Sequence, residues 1–237
     1  LGRLAAAYGA VDGIRCASCP AGVADTTRPS RLRTVMNEAL RRNPHCGGFY
    51  ASLAEGLDRL RKYPHAAAYY EEARRRMPQL VSVPGSLGMV WMRLGEEARA
   101  KELLDEAFKA DPFNARVKNT LDVLELLEGY GRIETAHFVI RHDPRDSLLA
   151  KYAARHLEDE VFPEITARLG FQPPGKSLFE IFSSSGGTSA QGWFAARMAG
   201  LPFLGPVAAC AGKIVGMVSP RETRTGFNWA RTLRHEF

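Results

Sequence analysis

The chain ends in Arg234-His235-Glu236-Phe237. His followed directly by Glu on a helix is the first half of the pattern H-E-x-x-H. There, two imidazoles one turn apart hold Zn²⁺ on one helical face, and the carboxylate between them takes a proton from the attacking water. His235 is therefore the candidate metal ligand, Glu236 the candidate catalytic acid and base, and Zn²⁺ the cofactor they imply. The second His would fall two residues past Phe237, so this stretch alone is not expected to hold the metal. A His-Glu pair also recurs by chance, and its surroundings decide its weight.

The surroundings read as layered α+β structure. Asn228 suits the N-cap of a helix running through Trp229 to Phe237. Upstream, after Gly129 and Gly131, Ile133-Glu-Thr-Ala-His137 leads into Phe138-Val-Ile-Arg-His142, β-branched and aromatic as strands are. Asp146 is expected to cap a long helix to about Leu169, kinked or divided by Pro163 and closed by Gly170. Leu178–Phe182, Val207–Cys210 and Ile214–Val218 read as further strands, with Gly212-Lys213 as a tight hairpin turn. The expected order is strand, helix, strand, strand, strand, helix, and the last helix carries His235-Glu236.

Thr135-x-His137-Phe138-x-Ile140-Arg141, Pro173-Pro174-Gly175-Lys176, Ala209-Cys210, Ser219-Pro220, and Phe227-Asn-Trp-Ala-Arg231 ahead of His235-Glu236 together resemble the start of a zincin of the gluzincin type. The resemblance is to the peptidase MA-like domains that follow tetratricopeptide repeats in some bacterial proteins. It covers residues 133–237. It implies that His235 binds zinc through a ring nitrogen and that Glu236 shuttles a proton from water to the leaving amine. It also places the second His and a helical Glu ligand beyond Phe237, and makes peptide or protein the substrate. Zincins add substrate as a strand along the sheet edge beside the active-site helix. Lys213 to Val218 is a candidate for that edge, with an ordinary sheet strand as the stronger expectation.

The first half is periodic. Pro44, Pro78 and Pro112 are spaced by 34 residues, with Ala39, Ala73 and Ala107 five residues before each and Met36, Tyr70 and Leu104 eight before. Ala66 with Ala100, Leu53 with Leu87, and Leu57 with Trp91 keep the same period. Small Ala residues let two helices approach, and each Pro ends a unit. Leu87-Gly88-x-x-Trp91, then Ala100, Leu104, Ala107 and Pro112, resembles the tetratricopeptide repeat, with Ala54 standing where Gly is usual in the preceding unit. The best units are 47–80 and 81–114. Leu1–Ala10 and Arg31–Arg42 read as an irregular earlier pair, and Ala115–Leu127 as a closing helix. Stacked units of this kind form a superhelix, and the resemblance implies a concave face for a protein partner or a spacer that holds the second domain. Tyr69 and Tyr70 read as core.

The expected architecture is α + α/β: helical repeats over 1–130 and the first part of a zincin-like α+β domain over 131–237. Leu1 in place of Met, and a motif interrupted at Phe237, imply a chain that continues at both ends. Net charge is +6, and apolar residues make up 45% of the 237. The basic residues are dispersed along helices without an aromatic-studded strand or recognition motif, which argues against nucleic acid. The longest apolar stretch, Gly200–Gly212, is interrupted by Pro202 and Pro206 and is too short for a membrane span of ~20 residues. Cys16-x-x-Cys19 lacks the second pair of a zinc ribbon and reads as an irregular loop, with a local disulfide or accessory metal site as alternatives. Ser183–Ser189 lacks a phosphate-loop Lys, and its G-x-S-x-G spacing is broken. His137 and His142 lie far from His235 in sequence, and His142-Asp143 reads as a turn; His45, His65 and His156 read as surface groups and Glu158-Asp159-Glu160 as an ordinary acidic helix face. The function expected is zinc-dependent peptide hydrolysis with a repeat module for protein interaction. The rival is a non-catalytic repeat scaffold with a degenerate zincin-like domain.

Overall fold

A computed structural model describes residues 1–12 and 30–237. Cys16 and Cys19 lie outside the described residues. The chain is a mixed α/β protein whose contacts divide it into two compact units, Leu1–Pro112 and Phe113–Phe237. No helix among the described residues is long and apolar enough to cross a membrane.

The first unit is helical: α1 (Gly2–Asp12), α2 (Arg31–Arg42), α3 (Gly47–Arg59), α4 (Tyr63–Arg76), α5 (Ser82–Leu94) and α6 (Glu97–Ala110). The 34-residue spacing appears as repeated backbone geometry. Helices α2, α4 and α6 end two residues before Pro44, Pro78 and Pro112, and the N–H groups of Asn43, Met77 and Asp111 close on the carbonyls of Ala39, Ala73 and Ala107. Those three alanines are buried, as are Ala54, Ala66 and Ala100. They let the paired helices α3/α4 and α5/α6 approach. Where the spacing calls for Gly, Gly88 is needed: an added Cβ would lie 2.8 Å from Leu104 Cγ. Tyr69 and Tyr70 are core residues. The basic helix ends fold back on acidic partners, Arg41 and Arg42 on Glu38, and Arg75 and Arg76 on Glu72, so these arginines form no unopposed cationic strip.

The second unit opens with α7 (Ala115–Glu128) and carries β1 (Gly131–Glu134), β2 (Phe138–His142), α8 (Ser147–His156), a π-helical turn at 157–161, α9 (Phe162–Leu169), β3 (Ser177–Phe182), α10 (Ala190–Ala199), β4 (Ala208–Ala211), β5 (Ile214–Val218) and α11 (Trp229–Glu236). The sheet order is β1-β2-β3-β5-β4. Strands β2, β3 and β5 are parallel, and β1 and β4 are antiparallel edges. One face presents Phe138, Ile140, Phe179, Ile181, Val215 and Met217 to α8, the π turn, α9 and Leu233 of α11. The other face receives α10, with Phe194 and Met198 against Gly216.

Three expectations are corrected, and an alternative left open at Lys213–Val218 is decided. Helix α10 was not anticipated between β3 and β4. Its start is marked by Ser189, whose hydroxyl accepts from Gly192 N–H, but that cap sits inside a Gly/Ser run that reads as loop. Thr135–His137 is a turn that folds the expected first strand into the β1–β2 hairpin. Asp146 does not cap α8 with its side chain; its carboxylate accepts from Ser183 at 2.5 Å and Ser219 at 3.0 Å. Strand β5 is paired on both sides, so Lys213–Val218 is the ordinary interior strand that was the stronger expectation, not the candidate edge; the edge beside it is β4. The expected division of the long helix at Pro163 is present as the π turn, in which Phe162 N–H reaches the Leu157 carbonyl five residues back. The closing helix α7 packs on α10 within the second unit.

Candidate functional site

Helix α11 is built to expose one turn-face and bury another. The Asn228 side chain accepts from Arg231 N–H at 3.0 Å and starts it. Trp229, Leu233 and Phe237, four residues apart, share one face. Leu233 is buried, Trp229 meets the His156 ring edge-on, and Phe237 packs edge-to-face on Phe138 with centroids 5.2 Å apart. Arg234 forms a paired contact with Glu164 of α9, one bond at 2.6 Å. Those contacts leave His235 exposed and Glu236 half-buried. Among the described residues neither side chain is held in a hydrogen bond or ion pair, so an imidazole nitrogen and a carboxylate stand uncommitted on adjacent residues. That suits a metal ligand beside a proton acceptor. Among the described residues no group of three or more His, Cys, Asp and Glu forms a metal site, so His235 is a single donor here.

The edge strand lies beside this helix: α11 packs against β4, α8 and the π turn. Val218 N–H donates to the Val207 carbonyl at 2.8 Å, which makes 207 and 218 a hydrogen-bonded pair. Antiparallel pairs alternate, so Ala208, opposite Met217, turns its N–H and C=O to the outer edge of the sheet. Strand β4 is Ala-Ala-Cys-Ala, with no charge or proline to repel an added strand.

Two side-chain networks escaped the sequence reading. The first centres on Glu158 in the π turn. It accepts the backbone N–H of His137 at 3.2 Å and faces His137 Nδ1 at 2.5 Å. Burial pushes the Glu158 carboxyl up, but the donors Thr135 and His137 outweigh it and hold the group below its ordinary value. The second gathers the C-terminal ends of the parallel strands. Besides Ser183 and Ser219, Asp146 faces Arg221 Nη2 at 3.4 Å, and Ser184 donates to Glu222 at 2.5 Å. This pins the start of the segment that leads into α11. His142 and Asp143 form the expected turn, with the Asp143 carboxylate accepting from Arg145 N–H at 2.9 Å. His156 is half-buried rather than a surface group, its Nδ1 3.1 Å from Glu160. The Ser184–Ser189 segment lines an open hollow that includes neither His235 nor Glu236.

No family model matches the chain, and no curated protein matches it.

Proposed function

We propose that the helical part is a tetratricopeptide-repeat array and the sheet-bearing part the start of a zincin-like metallopeptidase domain of the gluzincin type, which hydrolyses peptide bonds. The reading is carried by one observation: uncommitted His235 and Glu236 sit side by side near the end of a helix packed beside an antiparallel edge strand. His235 would hold zinc through a ring nitrogen, with the remaining ligands supplied after Phe237. When bound, zinc acidifies water and polarises a carbonyl. Glu236 would take the proton from the attacking water and return it to the leaving amine. Strand β4 would align an extended peptide through the outward N–H and C=O of Ala208. A protein partner would be received by the concave face of the repeats.

The test uses a chain extended past Phe237 through the rest of the domain. Glu236→Gln should retain zinc, measured by atomic emission, and lose hydrolysis of labelled casein. Hydrolysis that survives this substitution overturns the mechanism. The residue two positions past Phe237 separates the rival: a His there completes the pair of imidazoles, and any non-ligand there favours the non-catalytic repeat scaffold.

A further inference from the structure

The Thr135-x-His137-Phe138 motif and the π turn were given no role by the site itself, and they meet at the end of α11. The Glu158 carboxylate holds His137 by ring and backbone, at 2.5 Å and 3.2 Å. The His137 ring lies flat on Phe162, centroids 3.6 Å apart and planes inclined by 15°. Phe162 contacts Phe237 at 6.0 Å, and Phe138 contacts both rings edge-on, Phe237 at 5.2 Å and Phe162 at 5.9 Å. Phe237 follows Glu236 directly. Single π turns recur at functional sites, and here the turn at 157–161 contains Glu158, with Phe162 four residues on and on the same side of the helix.

We infer that Glu158 and His137 are positioning residues for His235 and Glu236, acting through the ring contacts of Phe162 and Phe237. The assignment rests on the metallopeptidase reading for its consequence, but the contact chain does not. Glu158 fixes the imidazole, the imidazole fixes the face of Phe162, and that face seats Phe237. Loss of the seat would let the turn that carries His235 and Glu236 shift, because Phe237 is one of the side chains that dock it.

The experiment is NMR on this chain with Glu158→Ala, Glu158→Gln, Asp159→Ala and Phe162→Leu. Glu158→Ala should shift the His235 imidazole and Phe237 ring resonances and raise amide exchange over 232–237 about tenfold, the scale of one charge-assisted hydrogen bond. Glu158→Gln keeps a carbonyl acceptor and should restore most of the wild-type pattern. Asp159→Ala removes a carboxylate from the same turn, at an exposed position, and should leave α11 unchanged. Phe162→Leu should disturb His235 while the His137–Glu158 contact persists, and it reads the same link if Glu158→Ala does not fold. If Glu158→Ala moves only the β1–β2 turn, or if Asp159→Ala moves α11 equally, the positioning role is wrong. In the extended chain the same Glu158→Ala should lower kcat with little change in KM. An extended wild-type chain that hydrolyses nothing would sink the peptidase reading and leave the NMR result to decide the positioning.

Discussion

Arg197 on α10 donates Nε–H to Glu180 Oε2 on β3 at 2.6 Å, and the two side chains are 1% and 0% exposed. Arg141 Nη1 lies 3.4 Å from the second carboxylate oxygen. A pair this deep contributes little over an apolar pair of equal size, because desolvation offsets its Coulomb attraction. Removing Arg197 takes from the buried Glu180 charge its nearest partner while Arg141 stays, and costs up to about 3–5 kcal/mol. Arg197→Met alone should therefore destabilise the second unit by that amount, and adding Glu180→Met should recover most of it. Urea unfolding followed by amide exchange in β3 checks this. A double variant as damaged as the single would mean the pair also fixes α10 by geometry.

Glu158 gives the second unit a defined acid sensitivity. Its carboxyl is held below the ordinary 4.5 because the bonds from Thr135 and His137 outweigh burial. A depressed carboxyl stabilises the fold above its unfolded pKa and loses that contribution as pH falls through the folded value. Wild type should therefore exceed Glu158→Gln in melting temperature at pH 7, and the gap should close below about pH 4. A gap that is constant from pH 7 to pH 3 would show that the charge does not matter.

In the first unit, Gly88→Ala tests the close approach of α5 and α6. The new Cβ would meet Leu104 Cγ at 2.8 Å and the Ala100 carbonyl at 3.2 Å. The carbonyl is backbone and cannot turn away, so overpacking should cost about 1–3 kcal/mol. At Ala54, where the preceding unit already carries a Cβ and is fully buried, Ala54→Gly should also destabilise, by about 1 kcal/mol of helix propensity. Denaturant midpoints of the two variants decide it. A neutral or stabilising Gly88→Ala would mean the two helices can separate without loss.

What the sequence discloses and what it hides follow from the range of the interactions. Pro44, Pro78 and Pro112, and the alanines before them, act within one helix end or one helix contact, so their spacing alone announces the repeat. Asn228 is as legible, since an N-cap is a bond across three residues. Asp146 misleads for the opposite reason. Its type suits a cap, but Ser183 and Ser219, far along the chain, compete for the same carboxylate and win. The edge status of β4 is a matter of strand order, which no periodicity encodes. Glu158 looks like one of three exposed acids until the fold sets it against His137, 21 residues earlier in the chain. Hence the proposed pair His235 and Glu236 is legible from order alone, whereas the contacts among Glu158, His137, Phe162 and Phe237 are not.

The proposed strand-addition role of β4 has a sharp test in Ala208→Pro. Residue 208 lies in a non-hydrogen-bonded pair with Met217, so its N–H is not part of the β4–β5 ladder. Proline is tolerated in an edge strand where the missing N–H faces outward. The substitution should therefore leave the fold standing, with a loss of stability of about 1 kcal/mol. It removes one outward donor and puts a ring where a peptide backbone would lie. Ala209→Pro, one residue on, removes a ladder donor opposite Gly216 and should unfold the hairpin, which confirms the register. In the extended chain, Ala208→Pro should lower kcat/KM for an unstructured peptide at least tenfold, about 1.4 kcal/mol of binding and orientation, while zinc content stays at the wild-type level. If kcat/KM is unchanged in a folded Ala208→Pro protein, peptide does not align along this edge, and the position of α11 beside β4 must have another use.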